Sequence, residues 1–199
     1  VTGGHHCALG GGPFDFYVTS TLASQAPPAV GRGLGIPLSN TVLGDEARFP
    51  KDAVSIVSVG DGSVNNSMFM SAANLARYAT HRNFKCPTLF VISNNDLCIS
   101  LRGYGYLAKF VNGLGMPLFT ASGNGDLVGM WDTAEKALNT VRRSAKPAVL
   151  VINDLPRRFG HAATDRQNMY LTDDEITQAA STDPLRSACE QALALGLVS

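Results

Sequence analysis

Apolar and polar residues follow one another in blocks whose periodicity changes along the chain. Four short runs are almost continuously apolar and rich in β-branched residues, which is typical of strands buried in a sheet. These predicted strands are residues 53–59, 87–93, 117–122 and 147–154. Between and after them apolar residues recur at helical spacing. The predicted helices are residues 25–36, 67–82, 107–115, 126–145, 172–180 and 184–196.

The alternation of strands and helices predicts the fold class: an α/β domain with a parallel sheet and helices on both faces. We treat residues 1–199 as one domain, because no repeat or linker-like change of composition divides them. In the helix over 67–82 an apolar stripe is expected to face the core. Its members are Met68, Phe69, Ala72, Leu75 and Ala76. Trp131 is expected to pack the helix over 126–145 onto the sheet.

Polar side chains follow two consecutive predicted strands at the point where each strand ends. Asp61 comes after the first strand, between Gly60 and Gly62, and Asn95 comes after the second. Right-handed crossovers bring the carboxyl ends of parallel strands to one edge, where such sheets bind ligands. The two side chains are therefore predicted to converge on one ligand.

The turn after Asp61 leads into a predicted helix that Asn65, Asn66 or Ser67 can cap. The beginning of a helix favours phosphate, because its N–H groups are free and its dipole is positive there. One carboxylate, two neutral oxygens and two phosphate oxygens nearly fill an octahedral Mg²⁺ shell. Each motif alone is more typical of a structural turn than of a ligand site. Together, on consecutive strands, they favour a magnesium–diphosphate site.

Charge and cysteine content narrow the function classes. Lysine plus arginine equals aspartate plus glutamate, at 16 each, so there is no electrostatic case for binding nucleic acid or an anionic membrane. No apolar run reaches the ~18 residues that span a bilayer. The cysteines, which form no CxxC pair, are expected to be free thiols in a reducing compartment. They are Cys7, Cys86, Cys98 and Cys189.

The motif GDG followed by NN resembles the thiamine diphosphate signature. More closely, the chain resembles the alpha subunit of the decarboxylating component of 2-oxo acid dehydrogenase complexes. "TSTLASQAPPAVGRGLG", "VGDGSVNN", "LFVISNNDLCIS" and "RRFGHAATDRQNMYLTDDEI" carry the resemblance over nearly all of the chain. Because that subunit is longer at both ends and Val1 is not methionine, we expect a fragment. Two features depart from the family: the interval of 31 residues between Gly62 and Asn94 is longer than usual, and Asn66 replaces Glu or Gln.

The resemblance implies roles for residues at three places in the chain. Asp61, the Asn95 side chain and the Leu97 carbonyl would bind Mg²⁺. The residues implied to contact thiamine diphosphate are Ser20, Leu22, Gly60, Gly62, Ser63, Arg157 and His161. The residues that match a potassium (K⁺) site of some family members are Thr19, Thr21, Ser24 and Gln25, for which a capped helix start is an equal alternative.

Arg157 and His161 have chemistry that suits these roles. An arginine binds phosphate through its planar guanidinium, and a histidine exchanges a proton near neutral pH. Without the family order, the same residues would be typical of a surface loop. His5 and His6 lie where the family often has a histidine, and contact with cofactor or substrate and a plain loop position both stay open.

The family activity is the oxidative decarboxylation of a 2-oxo acid, with transfer of the acyl group to a lipoyl arm of the acyltransferase component. The glutamate that activates the cofactor comes from the beta subunit in the family, so an α2β2 heterotetramer is implied. "TSTLASQAPPAVG" favours a branched-chain substrate over pyruvate. The implied location is intracellular: the cytoplasm of a bacterium or the mitochondrial matrix of a eukaryote.

Three other functions agree less well with the sequence. A transketolase-like or acetolactate synthase-like enzyme fits "TSTLASQ" and "RFGHA" less well. A catalytically silent subunit of the same fold would not need Asp61, Asn95, Arg157 and His161. A doubly wound nucleotide-binding domain would carry GxGxxG after its first strand. The candidate for that motif, "GRGLG" at 31–35, follows no predicted strand.

Overall fold

The computed structural model describes Phe14 and residues 21–198. Its strands are β1 (Ser55–Gly60), β2 (Thr88–Ser93), β3 (Leu97–Cys98), β4 (Leu101–Arg102), β5 (Leu118–Ser122) and β6 (Ala148–Asn153). Its α-helices are α1 (Ala26–Leu43), α2 (Ser67–His81), α3 (Tyr106–Asn112), α4 (Leu127–Ser144), α5 (Asp173–Ser181) and α6 (Pro184–Ala194). Every predicted strand and helix is confirmed. The short β3 and β4 were not predicted.

The main sheet has four parallel strands in the order β1-β2-β6-β5. Gly60, Ser93, Ile152 and Ala121 are aligned across its four strands. All four strands therefore end at the same side, which is called the carboxyl edge below. Segments that leave the sheet there emerge next to one another, which brings distant parts of the chain together. The separate pair β3–β4 is antiparallel and follows β2 directly.

Helices pack on both faces of the sheet, as predicted. On one face α1, α2 and α3 cover a core that contains Phe90, Ile92 and Val151. Phe69 of α2 meets Phe90 edge-on, with ring centroids 5.6 Å apart. On the other face α4 packs Ala137 and Val141 against the sheet. Strand β1 lies at the sheet edge and alternates between buried and exposed positions, so only one of its faces is covered by the described residues.

Helix α1 runs further than its sequence pattern predicts. It continues from Ile36 through Pro37 to Leu43, although proline removes one N–H from the helical ladder. Side chains bond to nearby carbonyls around this point: Asn40 Nδ2 donates to the Ile36 carbonyl and Thr41 Oγ1 to the Pro37 carbonyl. These bonds accompany the continuation of the helix past the proline.

Three expectations about buried side chains were wrong. Met68 and Leu75 of α2 are 43% and 41% exposed, while the other members of the predicted stripe are buried. Trp131 is 70% exposed on α4 and does not pack that helix onto the sheet. Apolar character alone does not say which face of a helix a neighbouring element covers. Within the described residues, no helix combines the length and apolar character needed to cross a membrane.

The described cysteines are free thiols, as predicted. Cys86 is buried, Cys98 is half-buried and Cys189 is exposed. Burial raises the pKa of the Cys86 thiol, so this side chain stays protonated and unreactive at neutral pH. Cys7 lies outside the described residues.

Gly33 of α1 marks the closest approach of that helix to the sheet, and its replacement tests the packing. A Cβ at Gly33 would lie 2.1 Å from Oγ1 of the fully buried Thr88. Gly33→Ala should therefore lower the free energy of unfolding by about 1–3 kcal/mol, the scale of overpacking in a core. Denaturant titration of the complete protein measures this change.

Gly31→Ala is the matched control, because nothing lies within 4 Å of a Cβ placed there. It should leave stability unchanged or raise it by up to about 1 kcal/mol, since alanine favours a helix more than glycine does. Equal effects of the two substitutions would contradict the close packing of α1 on β2.

Candidate functional site

The segment after β1 makes a tight turn at the carboxyl edge. Asp61 begins a 3-10 turn, Asp61–Asn65, directly after the strand. A Cβ on Gly62 would lie 2.3 Å from the Cys98 Sγ, so this position requires glycine if the turn is to pack against β3. A Cβ on Gly60 would meet nothing closer than 4.0 Å. Ser63 is buried in the same turn.

The helix that follows begins where the sequence predicts. Helix α2 starts at Ser67, and the 3-10 turn separates it from Asp61. Asn66 caps it: its side-chain oxygen accepts a hydrogen bond from the Met68 N–H at 2.8 Å. Of the three capping residues considered, the structure selects Asn66. The Met68 N–H, one of the groups at the start of α2 that were expected to face a phosphate, is therefore already bonded. The backbone of Gly62 and Ser63, in the turn that Asp61 begins, lies closer to Asp61 than the start of α2 does.

The segment after β2 contains two asparagines with separate tasks. Asn94 ties β2 to β6: its Nδ2 donates to the Asn153 Oδ1 at 2.8 Å, and its N–H donates to the Ile152 carbonyl at 2.8 Å. Asn95, the next residue, is half-buried and directs its side-chain oxygen to the N–H of Leu97 at 3.1 Å. Asn94 therefore fixes the strand end, and Asn95 is left to face the turn after β1.

The two predicted metal ligands do converge. Asp61 Oδ2 and Asn95 Oδ1 accept hydrogen bonds from the same Leu97 N–H, at 3.0 and 3.1 Å. Two oxygens that share one donor lie beside each other, although 33 residues lie between Asp61 and Asn95 in the sequence. The carboxyl edge thus places a carboxylate oxygen next to an amide oxygen.

The third predicted ligand, the Leu97 carbonyl, lies on the open side of the β3–β4 pair. Residues of an antiparallel pair alternate between bonding across to the partner strand and facing away from it. Gly103 N–H donates to the Asp96 carbonyl at 2.8 Å, and the register pairs Leu97 with Arg102. Leu97 is then the outward-facing member, which agrees with its N–H bonding to Asp61 and not to β4.

This set of atoms contains a single carboxylate. Among the residues that the structure describes, no three His, Cys, Asp or Glu side chains are grouped closely enough to hold a metal ion. One carboxylate with neutral oxygens suits a hard cation that takes its other ligands from a phosphate group or from water. Zinc or iron would require a denser set of side-chain ligands.

Arg157 reaches this region from the segment after β6. Its guanidinium donates to the Ile99 carbonyl in the turn between β3 and β4 and to the Tyr170 hydroxyl. Its nearest carboxylate oxygen is the Asp165 Oδ2, at 3.5 Å. The Nε of Arg157 is buried without a hydrogen-bond partner. The predicted anion-binding arginine thus lies beside the β3–β4 pair, with one donor unused.

Asp165 organises the loop that carries Arg157 and His161. Its Oδ2 accepts from the His161 N–H at 2.6 Å and from the Tyr170 hydroxyl at 2.7 Å. These bonds, the His161 backbone bond foremost, hold the pKa of the Asp165 carboxyl below its ordinary value. The pKa of Tyr170 is raised, first by desolvation and then by its bond to Asp165. The His161 side chain itself is exposed at the surface of this loop.

An ion pair joins the β3–β4 pair to helix α5. Arg102 Nη2 lies 2.8 and 2.9 Å from the two carboxylate oxygens of Glu175, near the start of α5. Glu175 also closes a capping box with Thr172, and the Thr172 N–H is the first cause of the lowered pKa of Glu175. A cleft of about 670 Å³ at the carboxyl edge is lined by Asn95, Leu97, Arg157 and this ion pair.

The turn before α1 holds the remaining described candidates. Leu22 is exposed there, and Gln25 donates from its side-chain nitrogen to the Ser58 carbonyl at 3.0 Å. This bond places the turn beside β1, two residues before Gly60. Thr21 and Ser24 belong to the same turn, where Ser24 N–H donates to the Thr21 carbonyl. The predicted residues that lie outside the described part of the chain are Ser20, Thr19, His5 and His6.

Sequence reasoning missed several residues that hold the site together. They are Asp96, Arg102, Asp165 and Tyr170. Arg102 bonds to Glu175, which lies 73 residues further along the chain. The partners of Asp96 and Asp165 lie within nine residues, but in turns that have no periodic pattern. Glu175 was detectable: "TDDE" at 172–175 has the Thr-x-x-Glu spacing of a capping box. The spacing predicts the helix start, but it does not predict the bond to Arg102.

Comparison with known proteins identifies the relatives of this chain. The model of the dehydrogenase E1 component family matches residues 18–199. A relative from Bacillus subtilis, named 2-oxoisovalerate dehydrogenase subunit alpha, is 29% identical over 173 residues, which cover 84% of this chain and 47% of the relative. A mitochondrial 2-oxoisovalerate dehydrogenase subunit alpha 2 of Arabidopsis thaliana is 28% identical over 81% of this chain and 32% of the relative.

A third relative is the chloroplastic pyruvate dehydrogenase E1 component subunit alpha-3 of Oryza sativa subsp. japonica. It is 28% identical over 90% of this chain and 40% of its own length. The chain therefore spans half or less of the length of these relatives.

The Asp165 network generates a prediction about pH. The folded-state pKa of Asp165 is lowered, so its bonds stabilise the loop at any pH above the unfolded value of about 3.9. That stabilisation is lost as pH falls through the folded-state pKa. Hydrogen exchange over residues 157–170, corrected for intrinsic rates, should be constant from about pH 5 to pH 8 and rise below about pH 4.

Asp165→Ala should raise exchange in this loop at least about fivefold at neutral pH, because it removes two short hydrogen bonds to a charged acceptor. Glu190→Ala is the control, since it removes an exposed ion pair with Arg186 on α6 and should leave the loop unchanged. Equal exchange in the Asp165→Ala variant and the parent protein would contradict the role given to Asp165.

Proposed function

The chain belongs to the dehydrogenase E1 component family, and on that premise we propose that it is the magnesium- and diphosphate-binding half of a thiamine diphosphate enzyme. The proposed reaction is the oxidative decarboxylation of a 2-oxo acid, with transfer of the acyl group to a lipoyl group. The observation that carries the proposal is the convergence of Asp61 Oδ2 and Asn95 Oδ1 on the Leu97 N–H, at 3.0 and 3.1 Å.

The residues at the carboxyl edge fit a magnesium–diphosphate group. Asp61, the Asn95 side chain and the Leu97 carbonyl supply one charged and two neutral oxygens, which leaves room for phosphate oxygens in an octahedral shell. Gly62 lets the backbone of the turn pack against Cys98, where any side chain would collide. The unused, buried Nε of Arg157 is a donor for which an anion is the natural partner.

Other residues would hold the rest of the cofactor. The backbone of Gly60, Gly62 and Ser63 would donate to the diphosphate, together with Arg157. Leu22, in the turn that Gln25 fastens to β1, would contact the aminopyrimidine ring with Ser20. A potassium ion bound at this turn is a further part of the proposal and rests on the resemblance alone.

Thiamine diphosphate, when bound, supplies the nucleophilic carbon and the electron sink that decarboxylation of a 2-oxo acid requires. The protein contributes orientation, exclusion of water and proton transfer. His161 is proposed to hold or deliver a proton at its ring nitrogens, since it lies on the loop that Arg157 and Asp165 fix at the carboxyl edge. Asp165 bonds to the His161 backbone, which sets the position of that residue.

A partner subunit is proposed to complete the site. The chain has four glutamates, Glu46, Glu135, Glu175 and Glu190. Glu175 is bonded to Arg102 and Glu190 to Arg186, so neither is available to activate the cofactor. Glu46 lies in the 3-10 turn after α1, and Glu135 is an exposed residue of α4. A beta-type subunit in an α2β2 assembly would supply the activating glutamate, and a lipoyl acyltransferase would take the acyl group.

A branched-chain 2-oxo acid is the proposed substrate, in preference to pyruvate. Support comes from "TSTLASQAPPAVG" and from two relatives whose names contain 2-oxoisovalerate dehydrogenase. The rice relative, named for pyruvate, matches a similar share of the chain. Relative turnover of 2-oxoisovalerate and pyruvate by the assembled enzyme decides between the two.

Asp61→Asn tests the metal site most selectively. The amide can still accept from the Leu97 N–H, so the turn is retained while the single charged ligand is lost. Magnesium-dependent binding of thiamine diphosphate is measured by calorimetry on the assembled enzyme. The affinity should weaken by about 100-fold or more, because loss of a residue that only orients a metal ligand already weakens binding by about 10- to 100-fold.

Asp45→Asn is the matched control, because Asp45 is also an acidic residue in a 3-10 turn but is exposed and follows α1. Its affinity should equal that of the parent enzyme. Unchanged affinity in Asp61→Asn would remove the metal assignment and, with it, the main support for the proposed function.

His161→Ala tests the proton-transfer role. Turnover of 2-oxoisovalerate with an artificial electron acceptor should fall by roughly 10²-fold or more, the scale of a positioned acid–base group. His81→Ala, at the exposed end of α2, should leave turnover unchanged. Near-normal turnover in His161→Ala would show that another group moves the proton.

A further inference from the structure

Asp96 lies between two of the proposed metal ligands, Asn95 and Leu97. Its backbone adopts a left-handed conformation with φ of 54°. Such a conformation is uncommon for residues other than glycine, although aspartate and asparagine adopt it more readily than most. The chain therefore makes a sharp bend at the residue where it turns from Asn95 into β3.

Three hydrogen bonds hold Asp96 in this bend. Its N–H donates to the Asn94 Oδ1 at 3.0 Å, and its carbonyl accepts from the Gly103 N–H at 2.8 Å. Its carboxylate Oδ1 accepts from the Gly105 N–H at 3.1 Å. The backbone and the side chain of Asp96 thus both bond to the segment after β4, at residues 103–105.

The contact between Asp96 and this segment is close. A Cβ on Gly103 would lie 2.4 Å from the Asp96 Oδ1 and 3.2 Å from its carboxyl carbon. Only glycine at 103 leaves room for the carboxylate in this position. The side chain therefore occupies a fitted place between the bend and the start of α3.

The bend fixes the direction of the next residue. The bond from Gly103 to the Asp96 carbonyl sets the alternation of the β3–β4 pair, which turns the N–H and the carbonyl of Leu97 away from β4. The Leu97 N–H then meets Asp61 and Asn95. If the bend relaxed, the register of this two-residue strand would be free to change, and the Leu97 carbonyl would leave the site.

We propose that Asp96 is a positioning residue of the metal site: its carboxylate, bonded to Gly105 and packed against Gly103, holds the left-handed bend that aims the Leu97 carbonyl at the cation. Asp96 does not itself bind the metal. The inference rests on the proposed function, since it concerns a residue that orients a ligand of that site. Residues that orient metal ligands commonly affect affinity by 10- to 100-fold.

Three substitutions separate the two properties of Asp96. Asp96→Asn keeps an acceptor oxygen and tolerates positive φ. Asp96→Gly tolerates positive φ but loses the acceptor, and Asp96→Ala loses both. The Mg²⁺ affinity at saturating thiamine diphosphate, measured by calorimetry on the assembled enzyme, should stay within about twofold in the first, weaken about fivefold in the second and about tenfold or more in the third.

Asp126→Ala distinguishes a positioning role from general loss of stability. Asp126 caps α4 by accepting from the Gly129 N–H at 2.8 Å, and a Cβ on Gly129 would lie 2.1 Å from its carboxylate. It has the same chemistry as Asp96, an aspartate packed on a glycine beside a helix start, but it is not next to the proposed ligands. Its Mg²⁺ affinity should equal that of the parent enzyme, even if its thermal midpoint falls as far as that of Asp96→Ala.

The outcomes are distinguishable. Graded weakening in the order Asn, Gly, Ala, with normal affinity in Asp126→Ala, supports the inference. Unchanged Mg²⁺ affinity in Asp96→Ala, or equal weakening in Asp126→Ala, overturns the inference and leaves the proposed function standing. If the parent enzyme binds no Mg²⁺ with thiamine diphosphate, the proposed function fails and the inference fails with it.

Discussion

One backbone N–H, that of Leu97, is shared by Asp61 Oδ2 and Asn95 Oδ1, and the candidate site is built around this shared donor. The parallel sheet makes the sharing possible, because β1 and β2 are adjacent and end at the same level, at Gly60 and Ser93. An antiparallel arrangement would send the two segments to opposite edges. Asp61 and Asn95, which follow the two strand ends, then share the Leu97 N–H as a partner, and this shared bond brings their oxygens together.

The core and the site are held by different forces. The sheet is covered by apolar side chains of α1, α2, α3 and α4, whereas α5 and α6 contain no buried residue. These last helices are held at the carboxyl edge by polar contacts, among them Arg102 with Glu175 and Arg158 with Asp183. Partly exposed ion pairs contribute little each. The loop with Arg157 and His161 is held differently, because the Arg157–Asp165 contact is largely shielded from solvent and Asp165 also accepts from the His161 N–H and the Tyr170 hydroxyl.

The sequence predicts this fold well because its strands are continuous apolar runs and its helices have clear spacing. It also predicts the convergence of Asp61 and Asn95, since that follows from strand order alone. It does not predict β3 and β4, which are two residues each and too short to have a periodic pattern. It misplaces Trp131, Met68 and Leu75, because exposure depends on which neighbour covers a helix face. Arg157 bonds to Ile99, 58 residues away, so local spacing does not reveal this contact. The partners of Asp96 lie within nine residues, but in an irregular turn that periodicity does not describe.

The central claim is that Asp61, Asn95 and Leu97 bind a divalent cation together with a diphosphate. Its most direct test is a crystal structure of the assembled enzyme grown with thiamine diphosphate and Mn²⁺, with anomalous diffraction recorded to locate the manganese. The account predicts one strong anomalous peak at the carboxyl edge, within ligand distance of the Asp61 carboxylate, the Asn95 side-chain oxygen and the Leu97 carbonyl, and next to the diphosphate. A cofactor bound with its metal at another place, or a diphosphate at this edge with no metal near Asp61, would contradict it.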